Sequence, residues 1–538
     1  MSKQSLIKIL VILNLATMVI LMLFASRNDS PTFDEPPHLL SGYVALRYGH
    51  DYIDIEHPLL AKMYAATPLL FQETKINLND PHYKIQRSNL EIDQMFSASQ
   101  AFLNYQTNNP DKILFDTRLL MIFLTAAFGL IIFLFAQKLF GNLAGLIAVF
   151  LYSTEGVILS NGSLFNTDMP AAGFFVLIIF ALWLYSEKQS IERLIFLTLS
   201  LILSLLTKFS AIYLLPIVVI SMELIYQTQK TRPRKHILYL LGSIFLAIPI
   251  FYGLVSFRDR GLTGFFPGRY LEGAGRVFLS VSKDGRSSYL LGDNYFGSRW
   301  YYFPVLVATK TQILSLVGAL IALILVFFKK IVLPKKALLI SVLPIGLFFL
   351  TAVFSKFNIG IRHILPIYPF LIIFAAGGFA SLIHLILRRF KPKTSLTLSA
   401  LLVLTIFGGR IWSTATTYPH FLSYFNFTVG GTDNGWKVAN DANYDWGQDV
   451  KRLADFVRAN KIKSLAIDNY SGIYAARDYY KLPVMQLTPT AKNYKGWVAL
   501  STSVIVTRKD TSEDYSWIVD KYTPIAKAGK SIFIYKIE

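Results

Sequence analysis

The sequence predicts a polytopic α-helical membrane protein that ends in a small α/β domain. Of its 538 residues, 53% are hydrophobic and only 16% are charged, against roughly 25% charged in an ordinary soluble domain. Apolar runs near the roughly 20 residues that a helix needs to cross a bilayer recur along most of the chain. After Trp436 the apolar runs shorten to strand length. This composition excludes a disordered chain, a collagen and a disulfide scaffold.

The predicted spans begin with Ile7–Ala25. We interpret this segment as an uncleaved helix, because its apolar run is long for a signal peptide and it ends without a small-x-small cleavage site. Two spans, Leu194–Leu206 and Ala211–Ile225, are short and form either two crossings or one broken hairpin. About eleven spans are predicted in all: Ile7–Ala25, Leu119–Gln137, Leu143–Leu159, Ala171–Tyr185, Leu194–Leu206, Ala211–Ile225, Ile237–Val255, Phe303–Phe328, Ala337–Phe354, Leu365–Leu387 and Ser395–Ile411.

The formal charge of +20 is explained best as a topology signal. Lys and Arg are retained on the cytoplasmic side of membrane proteins, and alternate connections hold 17 bases against two acids, Glu187 and Glu192. With an odd number of spans, this bias predicts a cytoplasmic amino terminus and an exoplasmic or periplasmic carboxyl terminus. The bases are Lys3, Lys8, Lys138, Lys188, Arg193, Lys230, Arg232, Arg234, Lys235, Lys329, Lys330, Lys335, Lys336, Arg388, Arg389, Lys391 and Lys393.

A nucleic-acid partner is excluded by the same distribution, because no basic stripe alternates with stacking aromatic residues. The predicted first exoplasmic loop, 27–117, carries an excess of acids instead. With no Cys in the chain, disulfide and thiolate chemistry is also excluded.

The spans and loops predict a membrane domain over 1–415 and a linker with a small exoplasmic α/β domain over 416–538. A second large exoplasmic loop is predicted over 258–300. In the carboxyl-terminal part, apolar residues at spacings of three to four predict a helix over Gln448–Asn460. Strands are predicted at Ser464–Ile467, Val498–Val506 and Ser531–Ile537.

Acidic residues at the exoplasmic side are candidates for catalysis. Asp34 and Glu35 follow the first span directly, and repulsion between neighbouring carboxylates can raise the pKa of one toward that of a useful base. The alternative is a helix cap at Asp34, which Pro residues directly after it also favour. Asp168, at the mouth of a span, is either a cap or a second carboxylate of the site.

Asp54, Glu56 and His57 form a further polar group in the first loop. These residue types can bind a divalent ion, but no firm ligand spacing is present. A histidine satisfied within the loop is the alternative.

Basic residues at membrane depth are costly and indicate function by default. Arg presents a fork that suits phosphate oxygens and Lys presents a point charge, whereas the alternative is snorkelling to the interface. We expect an exoplasmic cavity with acids on one wall and bases at membrane depth. This arrangement suits the transfer of a group from a lipid-phosphate donor. The candidates at depth are Lys208, Lys310, Lys356, Arg362 and the neighbouring His363.

Several short motifs occur in a fixed order along nearly the whole chain. They are Phe33-Asp34-Glu35, Glu56-His57-Pro58-Leu59-Leu60, Asn166-Thr167-Asp168, Leu206-Thr207-Lys208-Phe209-Ser210-Ala211, Trp300-Tyr301-Tyr302-Phe303-Pro304, Asn358 to Pro366, Tyr424-Phe425-Asn426 and Asp441 to Asp449. In these motifs the chain resembles the GT-C-fold glycosyltransferases that use lipid-linked sugars. It is most similar to bacterial relatives of protein O-mannosyltransferases and of the lipid A aminoarabinose transferase.

The resemblance implies a GT-C-like enzyme of the plasma (inner) membrane. The enzyme would transfer a sugar, with inversion, from a polyprenyl-phosphate donor to a hydroxyl of a protein, a lipid A or a cell-envelope glycan on the exoplasmic face. No cofactor is implied with certainty, and a divalent metal is possible. Where many relatives have His-Pro-Pro, this chain has His57-Pro58-Leu59, which weakens any role for His57.

The resemblance also assigns roles to residues. Asp34 is the expected base, with Glu35 and Asp168 as further catalytic acids. Lys208, Arg362 and His363 fall where relatives contact the donor phosphate or the cavity floor. We add Arg299 and Lys356 as further expected contacts of the donor phosphate and substrate, and His57, Lys310, Tyr302 and Asp445 as further candidates. The alternative is a transporter or flippase of a lipid-linked or small anionic substrate, although the chain lacks the related halves that many transporters show.

Overall fold

The computed structural model describes residues 2–76, 92–104, 108–229, 234–283, 285–331 and 335–538. Lys230 and Arg232 of the basic connections lie outside the described residues, as do parts of the first loop. The helices of the membrane part are α1 Lys3–Ser26, α2 Glu35–Tyr48, α3 Leu60–Ala66, α4 Ile92–Leu103, α5 Pro110–Phe140, α6 Asn142–Thr154, α7 Gly156–Gly162, α8 Asp168–Glu187, α9 Ile191–Leu205, α10 Leu214–Gln229, α11 Arg234–Arg260, α12 Gly268–Lys283, α13 Tyr302–Lys310, α14 Ile313–Phe327, α15 Lys335–Ala337, α16 Leu343–Val353, α17 Tyr368–Arg389 and α18 Pro392–Thr417.

Seven helical segments in the described part of the chain are long and apolar enough to cross a membrane. Two bent pairs raise this number to nine if each pair is one span: α6 with α7, bent by 60°, and α13 with α14, bent by 110°. A polytopic helical fold is therefore confirmed, but the predicted count of eleven is not. The difference arises at α9, which has 15 residues, and at the apolar helix Ile340–Val353, because both are shorter than a bilayer requires.

Local sequence explains where the helices nearest the first loop begin and end. Helix α2 begins with Glu35 and two prolines, which fit a first turn because its N–H groups have no partner within the helix. It ends at Gly49, whose φ of +79° is a conformation that glycine favours. Helix α5 begins after Asn109, whose side chain accepts a hydrogen bond from the Lys112 N–H at 3.1 Å.

The two bends lie side by side inside the membrane part. Glu155, between α6 and α7, accepts a hydrogen bond at 3.0 Å from the N–H of Gln312, which lies between α13 and α14. Arg410 of α18 donates to the same carboxylate at 3.0 Å, and both side chains of this ion pair are fully buried. The pair satisfies backbone that the bends leave unpaired, as a low-dielectric environment requires.

The carboxyl-terminal part is a five-stranded mixed sheet with helices around it. The sheet order is β4-β3-β5-β7-β6, where β3 pairs in parallel with β4 and β5, and β7 pairs antiparallel with β5 and β6. Its elements are α19 Gly431–Asn434, α20 Val450–Ala459, β3 Leu465–Asp468, β4 Val484–Gln486, β5 Gly496–Ser501, α21 Thr502–Thr507, α22 Ser516–Val519, β6 Ala526–Ala528 and β7 Ile532–Ile537. A separate hairpin, β1 Ser287–Leu290 and β2 Asp293–Phe296, lies in the second loop.

Most predicted elements of this part are present. The predicted strand Val498–Val506 is too long, because the chain turns into α21 at Thr502. Helix α20 forms as expected, with Val450, Leu453 and Val457 on its buried face.

Candidate active site

Four charged side chains that are distant in sequence meet at one end of the membrane part. We call Asp34, Asp168, Lys208 and Arg362 the charged cluster. The Nη1 atom of Arg362 lies 2.7 Å from Asp34 Oδ2 and 3.5 Å from Asp168 Oδ2. Lys208 Nζ contacts the other oxygen of Asp168. Arg362 therefore bridges Asp34 and Asp168, two of the three acids that the sequence predicted as catalytic.

Helix starts position the two acids. Asp34 directly precedes α2, yet its side chain makes no capping hydrogen bond, so the cap alternative for Asp34 is not realised. Asp168 is the first residue of α8, where the Asn166 side chain accepts hydrogen bonds from the N–H groups of Asp168 and Met169 at 3.0 Å. That amide fixes the turn, and the Asp168 carboxylate remains available to Lys208 and Arg362.

Irregular backbone positions the two bases. Lys208 is extended between α9 and the 3₁₀ helix Phe209–Tyr213. Arg362 lies in the 3₁₀ helix Ile361–Ile367, which follows Gly360. Gly360 has a φ of +150°, which side chains rarely adopt. Each base is thus carried by a break between helices rather than by a continuous span.

The charged cluster and its neighbour His363 contain polar atoms without hydrogen-bond partners. Among the described residues, Arg362 Nε and His363 Nε2 are buried and have no hydrogen-bond partner. The Asp34 side chain is 22% exposed and that of Lys208 14%, so the cluster is accessible from one side. Buried polar groups are normally satisfied, so these free atoms indicate a place for a polar ligand.

Glu35 lies beside Asp34 in sequence but faces a different environment. Arg118 donates to Glu35 through Nε at 2.8 Å and Nη2 at 2.6 Å, and the N–H groups of Thr32 and Phe165 each donate at 2.8 Å. Both side chains are at most 2% exposed. Despite the cost of burial, the charge and hydrogen bonds of Arg118 lower the pKa of Glu35. We call this ion pair the sealed pair, because every Glu35 oxygen is already occupied.

A second polar group from the first loop lies close to the cluster. Asp54 Oδ2 accepts from His38 Nδ1 at 2.7 Å and from Lys62 Nζ at 3.1 Å, and despite burial the Lys62 charge lowers the pKa of Asp54. Burial and the His38 charge lower the pKa of His57. Burial and the charges of Asp54 and Asp34 raise the pKa of Glu56.

Three further candidates hold the linker instead of joining the cluster. Lys310 Nζ donates to the carbonyls of Leu422 at 3.1 Å and Tyr424 at 2.9 Å, and also contacts that of Asn443. The Tyr302 hydroxyl accepts from the Asn443 side chain at 3.0 Å. Asp445 is buried and accepts from the N–H groups of Ser503 at 3.1 Å and Gly447 at 3.3 Å, and its burial raises its pKa to about 6.

Two other predicted phosphate ligands lie apart from the cluster. Arg299 pairs with Asp293 at 3.1 Å and lies over the Tyr295 ring at 4.2 Å. Lys356 is exposed. Neither residue has a contact with the four side chains of the cluster within the part of the chain that the structure describes.

The carboxyl-terminal part completes the wall of the site. The Arg362 guanidinium lies 4.4 Å from the centre of the Trp446 ring. The Tyr470 hydroxyl donates to Asp441 at 2.8 Å. Burial raises the pKa of Asp441 to about 6, against the opposing charge of Arg362. Sequence reasoning included Asp441 and Trp446 in a motif but did not predict them as site residues.

The motif around Trp446 is joined to the segment before Asp34 through its backbone. The Phe33 N–H donates to the Trp446 carbonyl at 3.0 Å, and the Ser30 N–H donates to that of Gln448 at 2.9 Å. Gly447 is required between them, because its φ is +94° and an added Cβ would lie 1.8 Å from the Ser471 hydroxyl. The motif therefore both caps the site and fixes its first loop.

Sequence reasoning missed the buried partners Arg118, Glu155 and Arg410. Glu155 and Arg410 lie inside predicted spans, where a charge is itself a signal of a specific partner. Arg118 directly precedes a predicted span, so its depth was not evident from the sequence.

No group of three or more His, Cys, Asp or Glu side chains within the described ranges is arranged to hold a metal ion. The carboxylates of Asp34 and Asp168 already face basic partners. We therefore derive no chemical step through a metal.

Comparisons with known proteins agree with the motif resemblance. Residues 111–253 match the family model of dolichyl-phosphate-mannose-protein mannosyltransferases. No curated protein sequence matches the chain significantly.

Similar solved structures include ArnT from Cupriavidus metallidurans bound to undecaprenyl phosphate, which has 12% identity, a TM-score of 0.48 and coverage of 98% of this chain and 97% of that chain. The apo oligosaccharyltransferase of Archaeoglobus fulgidus has 12% identity and a TM-score of 0.47, over 95% of this chain and 73% of that chain. The family-model match confirms the predicted resemblance in its segment. The chain is a multi-pass membrane protein and a glycosyltransferase.

Proposed function

We propose that this protein transfers a sugar from a polyprenyl-phosphate donor to an acceptor hydroxyl on the exoplasmic face of the plasma membrane, with inversion at the anomeric carbon. The observation that carries the proposal is the bridge of Arg362 between Asp34 and Asp168, beside buried polar atoms without partners. The family whose model matches is described as using dolichyl-phosphate mannose.

Asp34 is the general base in this proposal. It is the more exposed of the two acids, at 22% against 3% for Asp168, so it can meet an acceptor that enters from the open side. The Asp34 carboxylate accepts the proton of the hydroxyl while the hydroxyl oxygen attacks the anomeric carbon. General-base assistance of this kind typically contributes about 10²–10⁴-fold to the rate.

Lys208 and Arg362 stabilise the leaving group. The bond between the anomeric carbon and the phosphate oxygen breaks, and the electron pair leaves with the polyprenyl phosphate. Arg362 offers a free Nε, and His363 offers a free ring nitrogen next to it. Fixed charges and donors at the place where negative charge develops lower the barrier without reorganisation.

Asp168 positions these bases. It touches both Lys208 and Arg362 and lies at the start of α8. A donor phosphate that enters would take over part of this pairing, because Arg and Lys bind phosphate oxygens as well as carboxylate oxygens.

The experiment is a transfer assay with purified protein in liposomes, a polyprenyl-phosphate sugar as donor and release of polyprenyl phosphate as the readout. We expect Asp34→Asn to lower turnover by about 10²–10⁴-fold and to leave donor binding intact. Asp293→Asn is the matched control, since its side chain is 68% exposed and pairs with Arg299 outside the cluster. Near wild-type turnover of Asp34→Asn would overturn the assignment of the base.

The acceptor and donor are found by deleting the gene and comparing surface glycans, glycoproteins and accumulated polyprenyl-phosphate sugars by mass spectrometry. We expect one glycoconjugate to disappear and its lipid-linked sugar to accumulate. A change in a solute gradient without any glycoconjugate change would contradict the proposal.

A further inference from the structure

A cleft with aromatic walls lies between the first loop and the carboxyl-terminal part, next to the charged cluster. We call it the aromatic cleft. Its walls come from the segment before α2, from α4 and from the region after β3. Its lining includes Thr32, Phe33, Phe96, Asn104, Ser471 and Tyr474.

The aromatic rings of the cleft are partly exposed to solvent. Phe33 and Phe96 have ring centres 4.4 Å apart. Phe33 is 37% exposed and Tyr474 is 49% exposed. Exposed rings grouped in a concave place, rather than scattered singly, indicate a binding surface.

Three residues of the lining carry polar atoms without partners. Within the described ranges, Thr32 Oγ1, Asn104 Oδ1 and Ser471 Oγ are buried and make no hydrogen bond. Ser471 Oγ packs against Gly447, where an added Cβ would lie 1.8 Å from it. Native proteins leave few such atoms unsatisfied, and a ligand with hydroxyl or amide groups in the cleft would supply partners for Thr32 and Asn104.

Among the described residues that line the cleft, none has a charged side chain. The nearby guanidinium of Arg477 is already paired with Asp478 at 2.8 Å and lies over the Tyr474 ring at 5.4 Å. A ligand that carries phosphate groups would therefore lose hydration in the cleft without gaining a free basic partner.

The cleft and the charged cluster share a wall. The Phe33 ring packs edge-on against Tyr470 at 5.5 Å, and Tyr470 donates to Asp441 beside Arg362. Phe33 itself directly precedes Asp34. A ligand held in the cleft would thus extend toward the proposed base.

We infer that the aromatic cleft binds an uncharged carbohydrate and holds the acceptor of the transfer. A pyranose ring presents C–H groups on its faces, which pack on aromatic rings, and hydroxyls around its edge, which pair with the free polar atoms. This inference rests on the proposed function for the acceptor role, but carbohydrate binding itself does not require it. Of the three acceptor classes that the sequence left open, protein, lipid A and cell-envelope glycan, this inference favours a neutral cell-envelope glycan.

The binding experiment uses the full chain in lipid nanodiscs without donor, and saturation-transfer NMR. The probes are methyl glucoside, galactoside, mannoside and N-acetylglucosaminide, with glucose 6-phosphate and an uncharged serine peptide as competing classes. We expect saturation of the ring C–H protons of a neutral glycoside, and at least tenfold weaker binding in Tyr474→Ala. Tyr474→Phe is expected to retain binding, as is Phe427→Ala, a 77% exposed aromatic residue outside the cleft.

Three outcomes would overturn the inference: binding of the peptide or the phosphorylated sugar in preference to neutral glycosides, no binding of any probe, or equal binding by Tyr474→Ala. For the acceptor role, Tyr474→Ala should raise at least tenfold the KM for the neutral glycoside that binds, with release of polyprenyl phosphate as the readout. A wild type that releases no polyprenyl phosphate with any acceptor would count against the proposed function, whereas an unchanged acceptor KM would count against the cleft alone.

Discussion

Asp34 and Glu35 are neighbours in sequence, yet their carboxylates belong to two opposite kinds of charge site. The sealed pair of Glu35 and Arg118 is buried and every Glu35 oxygen is occupied. The charged cluster around Asp34 is open on one side and keeps unpartnered polar atoms on Arg362 and His363. An acid can act on a substrate only where its environment leaves room for one, so the difference separates a structural carboxylate from a chemical one.

The largest expected effect tests the sealed pair. Glu35→Gln leaves the buried Arg118 charge without its counter-ion, which typically costs about 3–5 kcal/mol. We expect a strongly lowered melting temperature in detergent and a low yield, while Asp34→Asn melts close to the wild type. If both variants melted alike, the distinction between the two acids would fail.

The next effect compares two lysines, Lys208 and Lys310, that the sequence predicted to lie at membrane depth. Lys208→Met removes a charge that faces the donor phosphate, so turnover should fall by about 10²–10³-fold, the range for a lost transition-state donor, with little change in melting. Lys310→Met leaves linker carbonyls without their donor, at about 1–3 kcal/mol of stability for each unsatisfied group. Measurements of turnover and of melting temperature on both variants distinguish the two roles. Equal losses of both quantities in both variants would show that the lysines do not differ in role.

A smaller effect concerns pH and Asp441. Its pKa is raised from 3.8 to about 6 in the folded protein, so folding favours the protonated acid. That stabilisation is complete below about pH 4 and is lost as the pH rises through about 6. Asp441→Asn should flatten this dependence and stabilise the protein by up to about 3 kcal/mol at pH 7, as measured by melting temperature from pH 4 to 7. A steeper pH dependence of the melting temperature in Asp441→Asn would contradict the expected direction of the effect.

The smallest effect is expected at Arg299. Its side chain pairs with the exposed Asp293 outside the cluster, and exposed ion pairs contribute about 0–1 kcal/mol. Arg299→Ala should therefore change turnover by less than about fivefold. A hundredfold loss would place Arg299 at the donor phosphate, as predicted from the sequence.

The membrane architecture could be predicted largely from the sequence, because bilayer thickness fixes the length of apolar runs. The bends could not, since Phe303–Phe328 is one predicted span in which Lys310 is the only charged residue, and the hydrogen bond of Gln312 to Glu155 joins residues that are 157 positions apart. Charge at depth pointed to Lys208 and Arg362, which the structure brings together with Asp34 and Asp168.

The sequence could not predict that the carboxylates of Asp34 and Glu35 lie in different environments. The partner of Glu35 lies 83 residues away, and no local pattern states which of two adjacent carboxylates will meet it. Similarly, Lys310 and Lys208 look alike as single charges near apolar segments, and only the fold shows that one binds the linker.

The backbone pairing of residues near Ser30 with the motif at Gly447 has a consequence for biosynthesis. These residues are 417 positions apart, and the motif is in turn held by Asp449, which accepts hydrogen bonds from Ser531 just before the last strand. At translation rates of about 5–20 residues per second, the first loop must wait roughly half a minute or longer for its partner. A chain released before Ser531 is made would thus have an Asp34 segment without its support, and the site is assembled only after that residue has left the ribosome.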